Sequence, residues 1–437
     1  MRLIYLSATK SAAILLSLGF VLSMSSCKRE GCMDETATNY DEKAKEDDGS
    51  CEFSDESLTG ELSGDQTWTS DRIWYLEGKV VVPSGVTLTI EPGTIIKGKA
   101  GQEAAAAALI VARGGKIMAE GTATQPIIFT SELDNISEGQ LVGTNLSKVD
   151  NEKWGGVAIL GSAPVSTENG DTEGNLEGVP AEESYGKYGG TNASDNSGVL
   201  KYVSIRHGGI SIGEGNELNG LTLAGVGNGT TIENIEIYAT LDDGVEFFGG
   251  TVNVKNVLVF YQGDDGIDID QNYAGTVDNF AVIHGDGIGT DEGLEIDGPE
   301  GSTNTSGKFT LKNGLCRAEG SDGSAADFKS KAQGMVENVT FDYGSKPLKF
   351  RTKFTDPGVD CTHKSDAYAN LLSGNLTFTA IKAAGVEVYD GDETDTCTDE
   401  MDAAQTDAAS EVDVDGAGGS VDLSTWSWGA AGNNGQL

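Results

Sequence analysis

A unit of about 22 residues recurs through the middle of the chain and limits the possible folds more than any other feature. Asn-apolar-x-apolar appears as NIEI (234–237), NVLV (256–259) and NFAV (279–282), with looser echoes at NGLC (313–316) and NVTF (338–341). The turn DDG at 242–244 returns at 264–266, and GDG follows at 285–287. Short alternating strands come after: VEFF (245–248), IDID (267–270), LEID (294–297), ADFK (326–329) and LKFR (348–351). Each unit is too small to bury its own apolar face, so neighbours must stack. Several short strands per unit, turn signals between them and no helical period describe one coil of an all-β solenoid, a parallel β-helix.

Side-chain parity then sorts the strand residues. Val245, Ile267, Leu294, Ala326 and Leu348 form one inward row, and Phe247, Ile269, Ile296, Phe328 and Phe350 a second. Burial of each large apolar member contributes roughly 1.5–3 kcal/mol. The residues between them face out: Glu246, Asp268, Glu295, Asp327, Lys349 in one column, and Phe248, Asp270, Asp297, Lys329, Arg351 in the next. In the N-terminal half, VTLTIEPGTIIKG (86–98) alternates in the same way, and WGGVAILGSAPV (154–165) begins another coil. The polar stretches 131–153 and 166–198 read as projecting loops.

Like charges opposite one another on paired strands destabilise, so the acidic column needs compensation. Asp268, Asp270, Glu295 and Asp297 offer four carboxylates on two coils, a set that suits Ca²⁺, which takes six to eight oxygens. The bland reading is a solvated acidic face. The DDG turns likewise have an ordinary account, Asp capping its own backbone and Gly accepting positive φ.

The chain carries 69 acidic against 29 basic residues, a formal charge of −40. That excludes nucleic acid as a partner, because phosphate contact relies on Lys and Arg. It favours an exported protein in contact with cations or with neutral or cation-bridged polymers. Arg2, Lys10 and the apolar run SAAILLSLGFVLSM form an export signal too short for a membrane span. Its end, MSSC (24–27), resembles a bacterial lipobox, which implies cleavage after residue 26 and acylation of Cys27. The expected location is the cell envelope, as an outer-membrane lipoprotein anchored at one face. An oxidising compartment pairs Cys32 with Cys51 and allows Cys361 to pair with Cys397, while Cys316 reads as a buried free thiol. The acidic module between Cys32 and Cys51 resembles a short unit of bacterial surface proteins. Its Asp34, Asp41, Asp47 and Asp48 offer either a Ca²⁺ site or a solvated spacer.

WGGVAILGSAPV, NGLTLAGVGNGTTIENIEIY, DDGVEFFGGTVNVKN and QGDDGIDID resemble segments of bacterial cell-surface lipoproteins of the pectin-lyase-like superfamily. The resemblance implies a right-handed parallel β-helix over about 58–355, behind a signal peptide (1–26) and a lipidated tether (27–57). An acidic, irregular C-terminal cap or tail (356–437) completes the division. The fold hosts lyases, hydrolases, adhesins and binding proteins alike. The leading expectation is a surface protein that binds a polysaccharide or another cell-envelope polymer, either through Ca²⁺ or with no cofactor. The rival comes from the resemblance of GDDGI to polygalacturonase-type glycosidases, which implies a uronate-directed hydrolase or lyase. Asp243, Asp264, Asp265 and His284 would then be catalytic, and Lys329, Lys349 and Arg351 would hold the uronate. Trp68, Trp74, Trp426 and Trp428 are expected at the solenoid ends.

Overall fold

The computed structural model describes residues 29–101, 105–213, 216–394 and 396–421. Two compact units divide at Ser54 and Asp55. In the first, Cys32 and Cys51 form a disulfide. The carboxylates of Asp34, Asp41, Asp47 and Asp48 each accept a backbone N–H two residues on, from Thr36, Lys43, Gly49 and Ser50. They shape local turns. The export signal and Cys27 lie outside the described residues, among which no helix is long and apolar enough to cross a membrane.

The second unit is a parallel β-helix with three strand columns. The first runs from Gln66–Trp68 through Thr231–Tyr238 and Asn253–Phe260 to Leu376–Thr379. Many of its strands bend and continue directly into the second column. The third begins with the end of Glu56–Glu61 paired to the end of Ile73–Val82 and passes through Val245–Phe248, Ile267–Asp270, Glu292–Ile296, Ser324–Phe328 and Leu348–Thr352 to Val386–Asp390. The expected inward rows are all in the core, none more than 1% exposed.

The repeated asparagine makes the bend between the first two columns. Asn234, Asn256, Asn279, Asn313 and Asn338 all have φ between 54° and 62°. Asn tolerates this left-handed region better than other side chains with a Cβ. The amides also stack: Asn256 Nδ2 donates to Asn234 Oδ1 at 2.6 Å and Asn279 Nδ2 to Asn256 Oδ1 at 2.7 Å. One residue type thus serves both the turn and the coil-to-coil contact.

On the outer side of the first column, Glu120, Lys201, Glu233, Lys255, Asp278, Lys312 and Glu337 lie in register. The sign alternates at every coil, with Lys201–Glu233 at 3.1 Å and Lys312–Asp278 at 3.6 Å. Opposite charges facing one another across paired strands stabilise the stack.

The solenoid continues past the expected boundary at residue 355. Leu376–Thr379 and Val386–Asp390 supply a last coil. The following acidic stretch, read from composition as loosely packed, contains the helix Thr398–Glu411. Ala404 and Ala408, one turn apart, are fully buried, and Asp399 and Glu400 sit in the first turn, where the helix dipole favours them. A Cys361–Cys397 disulfide ties this helix to the hairpin of Phe354–Asp356 and Asp360–His363. Trp68 and Trp74 stack at 5.5 Å in the first coils, while Trp426 and Trp428 lie outside the described residues.

Candidate functional site

The acid-bearing turns lead into the third column, and register identifies their equivalents. Gly220 N donates to Asp243 O, Gly244 N to Asp265 O, and Gly266 N to Glu292 O, each at 2.9 Å. The third member of the DDG series is therefore Asp291-Glu292-Gly293, not the GDG at 285–287. Substitution of Glu for Asp hid it from a search for identical letters. The glycines serve a purpose other than the expected positive φ. Gly244 and Gly266 have ordinary φ, but a Cβ would overlap Val259 at the former and Val282 at the latter. They let the turn lie against the core of the second column.

The second acid of each turn staples one coil to the next. Asp243 Oδ1 accepts the N–H of Asp265 at 2.9 Å, and Asp265 Oδ1 that of Glu292 at 2.6 Å. Both are buried, at 6% and 4% exposure. Burial first, then neighbouring carboxylates, push both well above the usual carboxylate range. Asp264, beside them, is partly exposed.

From these turns the outward residues stack as expected: Glu246, Asp268, Glu295, Asp327 and Lys349 in one row, with Phe248 beside Asp270 in the next. The rows are not uniformly open. Glu246 and Asp327 are sunk, whereas Asp268, Asp270, Glu295 and Asp297 are partly exposed. Asp327 accepts the Tyr389 hydroxyl at 3.0 Å. Burial and adjacent carboxylates raise Asp270 to about 8, and burial and the carboxylates of Glu168 and Asp297 raise Glu300 to about 7. A hydrogen bond with Glu292, reinforced by burial, brings Asp291 to about 7.

The basic end of the face is already neutralised. Lys329 pairs with Glu295, and Lys349 with Glu292 and, at 3.9 Å, Asp327. Arg351 pairs with Asp366 at 3.0 Å and donates to Ser330 at 2.8 Å. The expected use of these three cations to hold a uronate would require breaking those pairs. His284 does not stand in the outward acidic row; the acid that acts on it is Glu292, through its backbone and its carboxylate. His284 points inward after Phe280 and Val282, is fully buried, and meets Tyr343 edge-on at 5.2 Å. Burial lowers it to about 4, leaving a neutral imidazole in the core.

Three carboxylates converge with no ion pair to Lys or Arg among the described residues. Ligand atoms of Asp243, Glu246 and Asp268 lie within 4.8 Å of one another. A second such group, Asp265, Glu292 and Glu295, is served by Lys349 and Lys329, and a third is Asp242, Asp243 and Asp264. The quartet Asp268, Asp270, Glu295 and Asp297 does not form one such group among the described residues, because Glu295 turns to Lys329 and burial-raised Asp297 to Ser330. Asn219, which precedes Gly220 as Asp243 precedes Gly244, points its Nδ2 at Glu246 and Thr222. Neither Asn219 nor Glu292 carries a signal in the strand alternation: Asn219 stands in the turn before its strand, and Glu292 opens its strand ahead of the alternating LEID.

A family model described as a pectate-lyase like beta helix domain matches residues 60–431. No curated protein and no solved structure matches the chain.

Proposed function

The chain belongs to the pectate-lyase-like β-helix family, and from that premise we propose that its third face binds a polysaccharide of the cell envelope, with the protein held at the membrane surface through an acylated Cys27. One observation carries the reading. The same solenoid alternates charge sign on its first column but stacks carboxylates on its third. An acidic composition alone would load both columns alike. Concentrating Asp243, Glu246, Asp268 and Asp270 costs stability, and a cation arriving with the ligand, or Ca²⁺ held between ligand and protein, would offset it.

Affinity electrophoresis of the whole chain against neutral, acidic and amine-bearing polysaccharides tests this. Retardation by at least one polymer is expected, and Asp270→Lys should abolish it while Glu233→Gln on the first column should not. No retardation, or retardation that ignores Asp270→Lys, rejects the binding face. The second reading, a uronate-directed hydrolase or lyase, is favoured by Asp243 and Asp265 standing on successive coils beside the partly exposed Asp264. It requires polymer cleavage that Asp264→Asn and Asp265→Asn remove.

A further inference from the structure

The first column carries a groove that the third-face reading does not use. Thr231, Asn253 and Thr276 line one side and Glu233, Lys255 and Asp278 the other, around a cavity of about 400 Å³ that opens to solvent across three coils. Ile232 and Val254, between the two rows, point into the core and leave backbone as the floor. The size falls in the roughly 300–1,000 Å³ range of small-ligand sites. Its charges are unequally paired. Glu233 turns to Lys201 at 3.1 Å, and Asp278 turns to Lys312 at 3.6 Å and accepts from Asn313 at 2.7 Å, all on the coils beyond. Lys255 stands in register between these two carboxylates, is exposed, and forms no ion pair among the described residues. Across the groove, Asn253 Oδ1 accepts the N–H of Thr276 at 3.1 Å, which holds the amide and leaves its Nδ2 as a donor.

We propose that this groove is a second binding site, independent of the third face, for a short saccharide or saccharide chain end that carries one carboxylate among its hydroxyls. The carboxylate meets the Lys255 ammonium in a charge-assisted bond. Sugar hydroxyls donate to the lone pairs of Glu233 and Asp278 that their lysines leave unengaged, and accept from Asn253 and the threonine hydroxyls. A wholly neutral sugar would leave Lys255 without a counter-charge. A phosphate, near two negative charges, would meet Glu233 and Asp278 on either side of that one lysine. A dense polyanion would in addition meet a chain of net charge −40. The lining covers three coils, about 4.8 Å apart. A long polymer, with one such end per chain, is therefore not retained here, and electrophoretic retardation reports the third face.

Ligand-observed NMR titration of the whole chain with glucuronyl-N-acetylglucosamine and with glucosyl-N-acetylglucosamine tests the assignment, since the two differ only in a carboxylate against a hydroxymethyl group. The acidic disaccharide should bind about tenfold more tightly or better, as expected for a charged hydrogen bond. Lys255→Met should remove that preference, and Lys255→Arg, which keeps the charge, should retain most of it. Lys255 is exposed, so both variants should fold, and their melting temperatures verify it. Asp270→Lys on the third face should leave the preference in place. Equal affinity for the two disaccharides, a preference that survives Lys255→Met, or no binding of either overturns the groove. A preference lost in Asp270→Lys but kept in Lys255→Met also overturns it and moves the carboxylate to the third face. Silence of the polysaccharide panel, with the Lys255-dependent preference present, rejects the third face and upholds the groove.

Discussion

At the scale of single residues, the acid turns combine two demands that their letters do not separate. Asp243 and Asp265 cap the next coil, and Gly244 and Gly266 let the turn approach the second column. Gly266→Ala should therefore destabilise by about 1–3 kcal/mol through overpacking against Val282, lowering the melting temperature by a few degrees. Gly64→Ala, at an ordinary φ with nothing within 4 Å, should leave it unchanged. Equal melting temperatures for the two variants would refute the close-approach account. The identities of Asp and Gly in these turns were plain in the sequence. Their reasons were not, because a turn former and a close-packing glycine are the same letter.

At the scale of elements, the asparagine bend joins first-column and second-column strands into one continuous piece. Asn256 receives Asn279 and donates to Asn234. Asn256→Ala keeps the strand length but loses both amide bonds and the tolerance of φ 59°. A loss of about 2–4 kcal/mol is expected, from roughly 1–2 for the left-handed backbone and about 1 for each hydrogen bond. Asn256→Gly should recover the backbone part, and thermal unfolding of the two variants checks the division. If glycine is no better than alanine, the backbone share is wrong. The strands themselves were legible from alternation: Ile267 and Ile269 point in, Asp268 and Asp270 out; the first three pair with their predicted partners on the next coil, and Asp270 with Phe248 on the coil before. The helix Thr398–Glu411 was not legible, because only two small residues, Ala404 and Ala408, bury in it and neither lifts the hydrophobic pattern of an acidic segment.

For the molecule as a whole, the acid face sets an unusual pH dependence. Asp327 titrates at about 6, Glu300 and Asp291 at about 7, and Asp270 at about 8; burial drives all but Asp291, where the bond with Glu292 comes first. Unfolded carboxylates titrate near 4. A folded pKa above the unfolded one means that the native state holds the proton more tightly. The stabilisation is full below about pH 4 and is lost as pH rises through about 6 to 8. In chelator and low salt, the melting temperature should fall from pH 5 to pH 8, opposite to the acid denaturation of a protein with salt-bridged carboxylates. A flat or rising profile would show that these groups ionise freely and that the face is solvated.

Periodicity and parity alone determined that this chain stacks into a β-helix and which side chains fill it, because a solenoid's burial pattern is written locally, one coil at a time. The site depended on contacts between coils and across turns. Whether an outward carboxylate meets a lysine, caps a backbone N–H or stands without a cation depends on side chains tens of residues away: Glu292 finds Lys349, Asp265 reaches Glu292, and Asp243, Glu246 and Asp268 find one another. Strand alternation cannot rank such partners, since it assigns a face and not a neighbour. The tertiary structure therefore decided which acids of this face are paired with a cation and which, among the described residues, burial and neighbouring carboxylates push toward the protonated form.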